Sequence, residues 1–188
     1  MPVVSPIHLQ QAVLTLRDGG VIAYPTASVW GLGCDPWRPE AVERIWDIKR
    51  RDPGKGLILI AADWTQIAPW LDGLDESSQA LLRATWPGPV TWLVPVPRDF
   101  PDWLRGRHET VALRVSAHAG VQALCRAFGG ALVSTSANRA GRPAARSLFD
   151  VRQRLAGELD FILPGATGGL ARPTEIRDLR SQRVVRAG

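Results

Sequence analysis

The spacing of apolar positions switches period along this chain. Over residues 6–18, Leu9, Ala12, Val13 and Leu16 recur at helical spacing, and Gly19-Gly20 supplies a C-terminal stop. Val21-Ile22-Ala23-Tyr24 is then a short continuous apolar run closed by Pro25, which predicts a buried strand. Residues 39–50 return to helical spacing through Val42, Ile45, Trp46 and Lys49. Leu57-Ile58-Leu59-Ile60 predicts a second buried strand, and Ser77 to Thr85 a helix that ends before Trp86-Pro87-Gly88-Pro89. Val90–Val94 and Val111–Val115 predict two more strands, 119–128 a helix stopped by Gly129-Gly130, and Ala131-Leu132-Val133 a strand. Leu148 to Leu155 reads as a helix with Ser147 as its cap, and Phe161–Leu163 and Val184–Arg186 as two last short strands.

Helices interleaved with continuous apolar strands predict an α/β protein, a single-domain twisted open sheet with helices on both faces. The two strands between Val90 and Val115 follow one another without a helical crossover, so the sheet is expected to be mixed. A chain of 188 residues fits one domain over 1–188 and can bury roughly 70% of its unfolded surface without a disulfide or metal. It has no apolar run of membrane-spanning length and no basic-then-apolar leader, which predicts a cytoplasmic protein. Of the tryptophans, Trp46, Trp64, Trp70 and Trp86 fit helix packing. Trp30, in a polar glycine-rich turn, is placed to floor a pocket.

Charge sharpens the picture. The net charge is +5, which favours anionic partners. The only two lysines, Lys49 and Lys55, share the segment Lys49-Arg50-Arg51-Asp52-Pro53-Gly54-Lys55. An ammonium suits a single phosphate oxygen and a guanidinium offers a rigid fork, so the segment reads as a polyanion site or as a solvated turn. Cys34, Cys125 and the three histidines match no metal spacing, so no metal site is expected, and nothing local would activate either thiol.

Four further segments carry polar groups where apolar ones would be ordinary. Tyr24-Pro25-Thr26-Ala27-Ser28-Val29-Trp30-Gly31-Leu32-Gly33-Cys34-Asp35 is a strand end followed by hydroxyls and glycines, either a ligand-facing turn or a tight connection. Ser134-Thr135-Ser136-Ala137-Asn138 follows a core strand. If that strand persists, residues 134, 136 and 138 share a face at a sheet end; otherwise they cap a turn, with Asn138 left-handed. Arg114, inside an apolar strand, needs either a ligand carboxylate or an internal aspartate. Pro173-Thr174-Glu175-Ile176-Arg177-Asp178, after Gly165–Gly169 and before Arg186, reads as a lining loop.

Taken in order, these segments resemble the threonylcarbamoyl-AMP synthase family, the YrdC-like domain, in its short bacterial TsaC form. The resemblance runs through Tyr24-Pro25-Thr26, Gly31-Leu32-Gly33, Lys49-x-Arg51, Lys55-Gly56-Leu57, Trp86–Thr91, Val111–Val115, Ser134–Asn138 with Gly141, and Pro173-Thr174-x-Ile176-x-Asp178. It covers the chain from about Gly20 to Gly188 and implies a YrdC-like fold with a basic central cavity and no second domain. The implied reaction joins L-threonine, bicarbonate and ATP into threonylcarbamoyl-AMP and pyrophosphate, for threonylcarbamoyl-adenosine modification of tRNA. Lys49, Arg51 and Lys55 would be catalytic. Arg51, Lys55, Ser136, Asn138 and Arg186 would hold ATP, and Thr26, Arg114, Ser134 and Thr174 threonine. Mg2+ would ride on the triphosphate, and the product would pass to the tRNA threonylcarbamoyl-transferase complex. Asp52 stands where the family usually has proline, which would alter the path of the basic loop.

Two other readings remain. Arg139, Arg142, Arg146, Arg152 and Arg154 lie close in sequence and could form a patch for tRNA or double-stranded RNA. The same fold could also serve a different carbamoyl or adenylyl transfer.

Overall fold

Strand register divides the sheet of this protein into two faces of different chemistry. The computed structural model describes residues 4–187. Helices form at α1 (Pro6–Arg17), α2 (Pro39–Lys49), α3 (Glu76–Thr85), α4 (Asp102–Arg105), α5 (Ala119–Phe128) and α6 (Leu148–Leu155). Strands form at β1 (Ile22–Pro25), β2 (Trp30–Gly33), β3 (Ile58–Ala61), β4 (Val90–Pro95), β5 (Thr110–Val115), β6 (Leu132–Ser136), β7 (Phe161–Ile162), β8 (Glu175–Asp178) and β9 (Val184–Arg186). They make one sheet in the order β7-β1-β2-β6-β3-β5-β4-β8-β9. The pairs β1/β7, β3/β5 and β4/β8 are parallel and the rest antiparallel, so the sheet is mixed as expected.

Laterally paired residues share a face. One face carries Ala23, Leu32, Leu59, Ala61, Val133, Leu113, Trp92 and Val94. These pack with Ala41, Val42, Ile45 and Ile48 of α2, Leu82 of α3 and Leu104 of α4 in the main core. Each fully buried leucine or isoleucine here contributes about 1.5–3 kcal/mol. On the other face, Ile22, Tyr24, Ile60 and Leu132 lie under Ala12, Val13 and Leu16 of α1 and Val121, Leu124 and Cys125 of α5. Beyond those two helices the same face continues as Gly31, Ser136, Ser134, Ile58, Ala112, Arg114, Leu93, Ile176 and Arg186, paired strand to strand. Beyond the helical cover, serines and arginines thus stand among apolar positions.

Two strands differ from the sequence expectation. Trp30–Gly33 is not a turn but β2, antiparallel to both β1 and β6. Its glycines serve packing: a Cβ on Gly33 would lie 2.6 Å from the Val133 carbonyl oxygen and 2.8 Å from Tyr24 Cε1. Glu175–Asp178, expected as loop, is β8, parallel to β4. Trp30 borders the cavity described below yet is 1% exposed and belongs to the main core. Ser147 caps α6 in a reciprocal box with Asp150, accepting from its N–H at 3.1 Å.

Gly33→Ala is therefore expected to destabilise the fold by about 1–3 kcal/mol, the usual cost of overpacking. Gly73→Ala, where an added Cβ meets nothing within 4 Å, should stay within about 0.5 kcal/mol of the parent. Urea denaturation midpoints of the two variants test the difference; equal midpoints would show that β2 yields without cost.

Candidate active site

The part of the second face that α1 and α5 leave uncovered floors a cavity of about 380 Å3. Thr26 and Ser28 from the β1–β2 hairpin, Arg51 and Lys55 from the loop after α2, and Thr174 and Arg186 near β8 and β9 form its walls. Among the described residues, no aspartate or glutamate lines it. Of the lysines and arginines that line it, Arg105 alone among the described residues has a carboxylate partner, Asp102. Arg38, Arg44, Arg105, Arg107, Arg126, Arg139, Arg154 and Arg177 form ion pairs, whereas Arg51, Lys55, Arg114 and Arg186 form none among the described residues.

Arg114 is the extreme case. Its β5 position opposite Ile60 sets it into the floor at 7% exposure. Nη1 donates to Thr174 Oγ1 at 2.7 Å, while the buried Nε has no partner. Burial, with repulsion from Arg186, pulls its pKa down to about 10. The internal aspartate that the sequence allowed is not there, so the guanidinium offers its remaining donors to the cavity. Beneath it, the Tyr24 phenol is 1% exposed, and burial pushes its pKa up. The Ser134 hydroxyl lies close enough to oppose that shift, yet Tyr24 Oη makes no hydrogen bond of good geometry.

The basic loop is built for display. Helix α2 stops because Arg50 adopts the left-handed conformation at φ 50°. Asp52 then caps a single turn over Pro53–Lys55, accepting from Gly54 N at 2.8 Å, and pairs with Arg107 at 2.5 Å. Its place in the family's proline position is thus a fastening of the loop. Gly56, at φ +61°, lets the chain pass the Arg105 carbonyl, which a Cβ would approach to 2.8 Å. Arg51 Nη2 donates to the Gly56 carbonyl at 3.0 Å, and burial and the nearby Arg186 lower its pKa. Lys55 is exposed at the cavity rim. Arg186 Nη2 donates to the Thr174 carbonyl at 2.9 Å, so Thr174 carries one guanidinium on its hydroxyl and another on its backbone.

Hydroxyls complete the site. Thr26 Oγ1 donates to the Val29 carbonyl at 2.7 Å, which leaves its oxygen free to accept. Ser134 and Ser136 share the floor. Ser28, one of the hydroxyls that the sequence offered in a ligand-facing turn without a role of its own, is buried without a partner, as is the hydroxyl of Thr91. The Gly165–Leu170 loop seats on the hairpin through Gly168 N to Thr26 O (2.9 Å) and Leu170 N to Ala27 O (3.0 Å). His118 fastens it further. Nδ1 accepts from Val121 N at 3.3 Å, so Nε2 carries the proton and donates to Ala166 O at 3.2 Å. Only alternation along β3 and β5 hinted that Ile58 and Ala112 belong to the floor.

Two expected ligands lie outside the cavity. The strand ends at Ser136, and Asn138 does not line the cavity, although its Oδ1 accepts from Ser136 Oγ at 2.6 Å. Its Nδ2 donates to the carbonyls of Arg139 (3.0 Å) and Arg142 (2.6 Å), and it is not left-handed. Lys49 is 3% exposed and its ammonium donates to the Ser136–Asn138 segment rather than into the cavity. The arginine patch is also partly consumed. Arg139 pairs with Glu158, Arg154 with Asp150, and Arg146 donates to the Ala171 carbonyl. Asn138, Arg139, Arg142 and Arg154 border a separate groove.

An α/β sheet that presents unpaired guanidiniums and hydroxyls in one cavity defines a binder of small anionic substrates, and comparison with known proteins narrows the class. Residues 14–188 match the Sua5/YciO/YrdC family model, described as telomere recombination. Threonylcarbamoyl-AMP synthase of Nitrosococcus oceani is 55% identical over 179 residues, 95% of this chain and 97% of that protein. The enzyme of the same name from Pseudomonas syringae is 51% identical over 185 residues, 98% of this chain and all of that protein. Among solved structures, P. abyssi Sua5 complexed with L-threonine superposes with a TM-score of 0.88 at 27% identity, over 95% of this chain and 53% of that one. The chain thus spans about half the length of that Sua5. E. coli YciO superposes at 0.84 with 30% identity, over 96% of this chain and 88% of its own. The chain belongs to the Sua5/YciO/YrdC family.

A buried cation that serves a ligand rather than the fold adds nothing to stability. Arg114→Met is expected to leave the thermal midpoint of the ligand-free protein unchanged or raised. A loss of about 3 kcal/mol or more would instead mark Arg114 as a structural partner.

Proposed function

We infer that this protein is a threonylcarbamoyl-AMP synthase, a nucleotidyltransferase that uses L-threonine, bicarbonate and ATP. The observation that carries the reading is Arg114: a buried guanidinium with a hydroxyl partner and no carboxylate, in a cavity whose rim holds Arg51, Lys55 and Arg186. The relatives' shared name and the threonine-bound Sua5 support it.

In this reading the threonine carboxylate meets Arg114 bidentately, with Thr174 steadying the guanidinium. The Thr26 and Ser134 hydroxyls take the ammonium and side-chain hydroxyl. Amine and bicarbonate give a carbamate and water. A carbamate oxygen then attacks the α-phosphorus of ATP in line, a new P–O bond forms, and the bond to the bridging oxygen breaks as pyrophosphate leaves with the electron pair. Arg51, Lys55 and Arg186 neutralise the charge that grows on the departing phosphates. Mg2+ enters with ATP as part of the substrate. No side chain needs to form a covalent intermediate; catalysis is positioning and charge. The product serves tRNA modification in the cytoplasm, handed on to the transferase complex. RNA contact would fall to Arg142 and Arg152, which form no ion pair among the described residues.

Pyrophosphate release from MgATP, with threonine and bicarbonate each present or omitted, tests the reading together with mass detection of the adenylate. Release should require both co-substrates; release needing neither would overturn it. Arg51→Ala and Lys55→Ala should each lower the rate about tenfold or more with the fold intact. Wild-type turnover in both would remove the basic loop from the site. In the same assay Arg114→Met should chiefly raise the threonine KM, and an unchanged threonine dependence would remove Arg114 from that role.

A further inference from the structure

One carboxylate stands inside the basic loop. Asp52 follows Arg51 and precedes Lys55 by three residues, and no other acid occupies the segment from Lys49 to Lys55. Pro53–Lys55 is a single 3-10 turn, closed by Lys55 N donating to the Asp52 carbonyl at 3.2 Å. In such a turn side chains three residues apart eclipse one another, so Asp52 and Lys55 share an edge of the loop. The Gly54 N–H, then Arg107 and more weakly Lys55 hold the Asp52 carboxyl below the usual carboxylate range. An exposed ammonium and a carboxylate at this spacing ordinarily pair, yet Lys55 forms no ion pair among the described residues.

Arg107, in the turn after α4, takes the carboxylate instead. Its Nη2 donates to Asp52 Oδ2 at 2.5 Å, while Asp52 Oδ1 accepts from Gly54 N at 2.8 Å, so both oxygens are engaged. The guanidinium lies against Gly54, where a Cβ would come within 2.2 Å of Arg107 Cζ, and Arg107 N donates to the Gly54 carbonyl at 3.1 Å. Neither Asp52 nor Arg107 lines the cavity, whereas Arg51 and Lys55 on either side of Asp52 do. An ion pair whose arginine is 73% exposed adds little to the stability of a fold. What it changes is which cation the carboxylate neutralises. We propose that Arg107 is a positioning residue that sequesters Asp52 and so keeps the Lys55 ammonium unpaired at the cavity rim for an anionic ligand. That this ligand is the triphosphate of ATP rests on the synthase reading; the pairing does not.

Lys49 and Lys55 are the only lysines, so isotope-labelled lysine reports Lys55 directly by NMR. In Arg107→Gln the Lys55 ammonium signal should move, and adding Asp52→Asn should return it. The Asp52→Asn side chain can still accept from Gly54 N, so the turn is kept. Calorimetric binding of inorganic tripolyphosphate at low salt, where exposed charges are least screened, reads the consequence. Arg107→Gln should weaken binding about threefold, and Arg107→Lys, which keeps a cation for Asp52, should stay within about 1.5-fold of the parent. Asp52→Asn should gain about threefold in the Arg107→Gln background but less than about 1.5-fold in the parent. A double variant as weak as Arg107→Gln would make the pair a fastening of the loop and nothing more, and would overturn the proposal. Equal gains from Asp52→Asn in both backgrounds would reduce it to additive surface charge. An unmoved Lys55 signal would deny the pairing, and a parent without tripolyphosphate affinity would overturn the role given to Lys55. If this pattern holds while no pyrophosphate is released with threonine and bicarbonate, the synthase reading fails and the sequestration stands.

Discussion

A guanidinium removed from water with one hydroxyl for company is the constraint around which this protein is arranged. Charge in a low-dielectric interior is costly unless an opposite charge compensates it, and Arg114 has no carboxylate among the described residues. Elsewhere some arginines, among them Arg44, Arg107 and Arg139, pair with aspartate or glutamate. Around the cavity Arg51, Arg114 and Arg186 form no ion pair among the described residues, and Arg186 repels both Arg51 and Arg114. Bound anions relieve that repulsion, and affinity follows from an electrostatic cost already present in the fold.

The fold bears this cost because its stability is gathered elsewhere. One sheet face is covered from α2 to α4 and holds the main core, while α1 and α5 cover only part of the other. The uncovered part is where polar side chains can stand on rigid strands without breaking a core. Tyr24 marks the boundary: its ring lies against the glycines of β2 and its phenol sits below Arg114 and Ser134. Side chains on paired strands move little, which suits chemistry that depends on alignment rather than on a covalent nucleophile.

Loops supply what strands cannot. The turn at Arg50 and the cap at Asp52 hold the basic loop open toward the floor. Thr174 ties two guanidiniums to one residue, and Lys49 ties the end of α2 to the end of β6. Loop and strand-borne groups are thereby linked through hydrogen bonds, while Ser28 Oγ, Arg51 Nε and Arg114 Nε keep no partner.

Sequence alone determined the helices, the apolar strands and the mixed α/β class, because periodicity is a local property that burial imprints residue by residue. It also singled out Arg114, Ser134 and the Arg51–Lys55 loop, because a polar group in an apolar context is a local anomaly. Strand β2 stayed hidden, since two glycines in four residues carry no alternation, and β8 because its half-buried residues mix charge with Ile176. Only the tertiary structure decided which cations face the cavity. Lys49 and Lys55 look alike in one short segment, yet one is spent on three oxygens of a segment 87 and more residues away and the other stands at the rim. The absence of an aspartate beside Arg114, and the turning of Asn138 out of the floor, were likewise settled by partners remote in the chain. Hydrogen-bond satisfaction is a long-range account, and no local pattern records it.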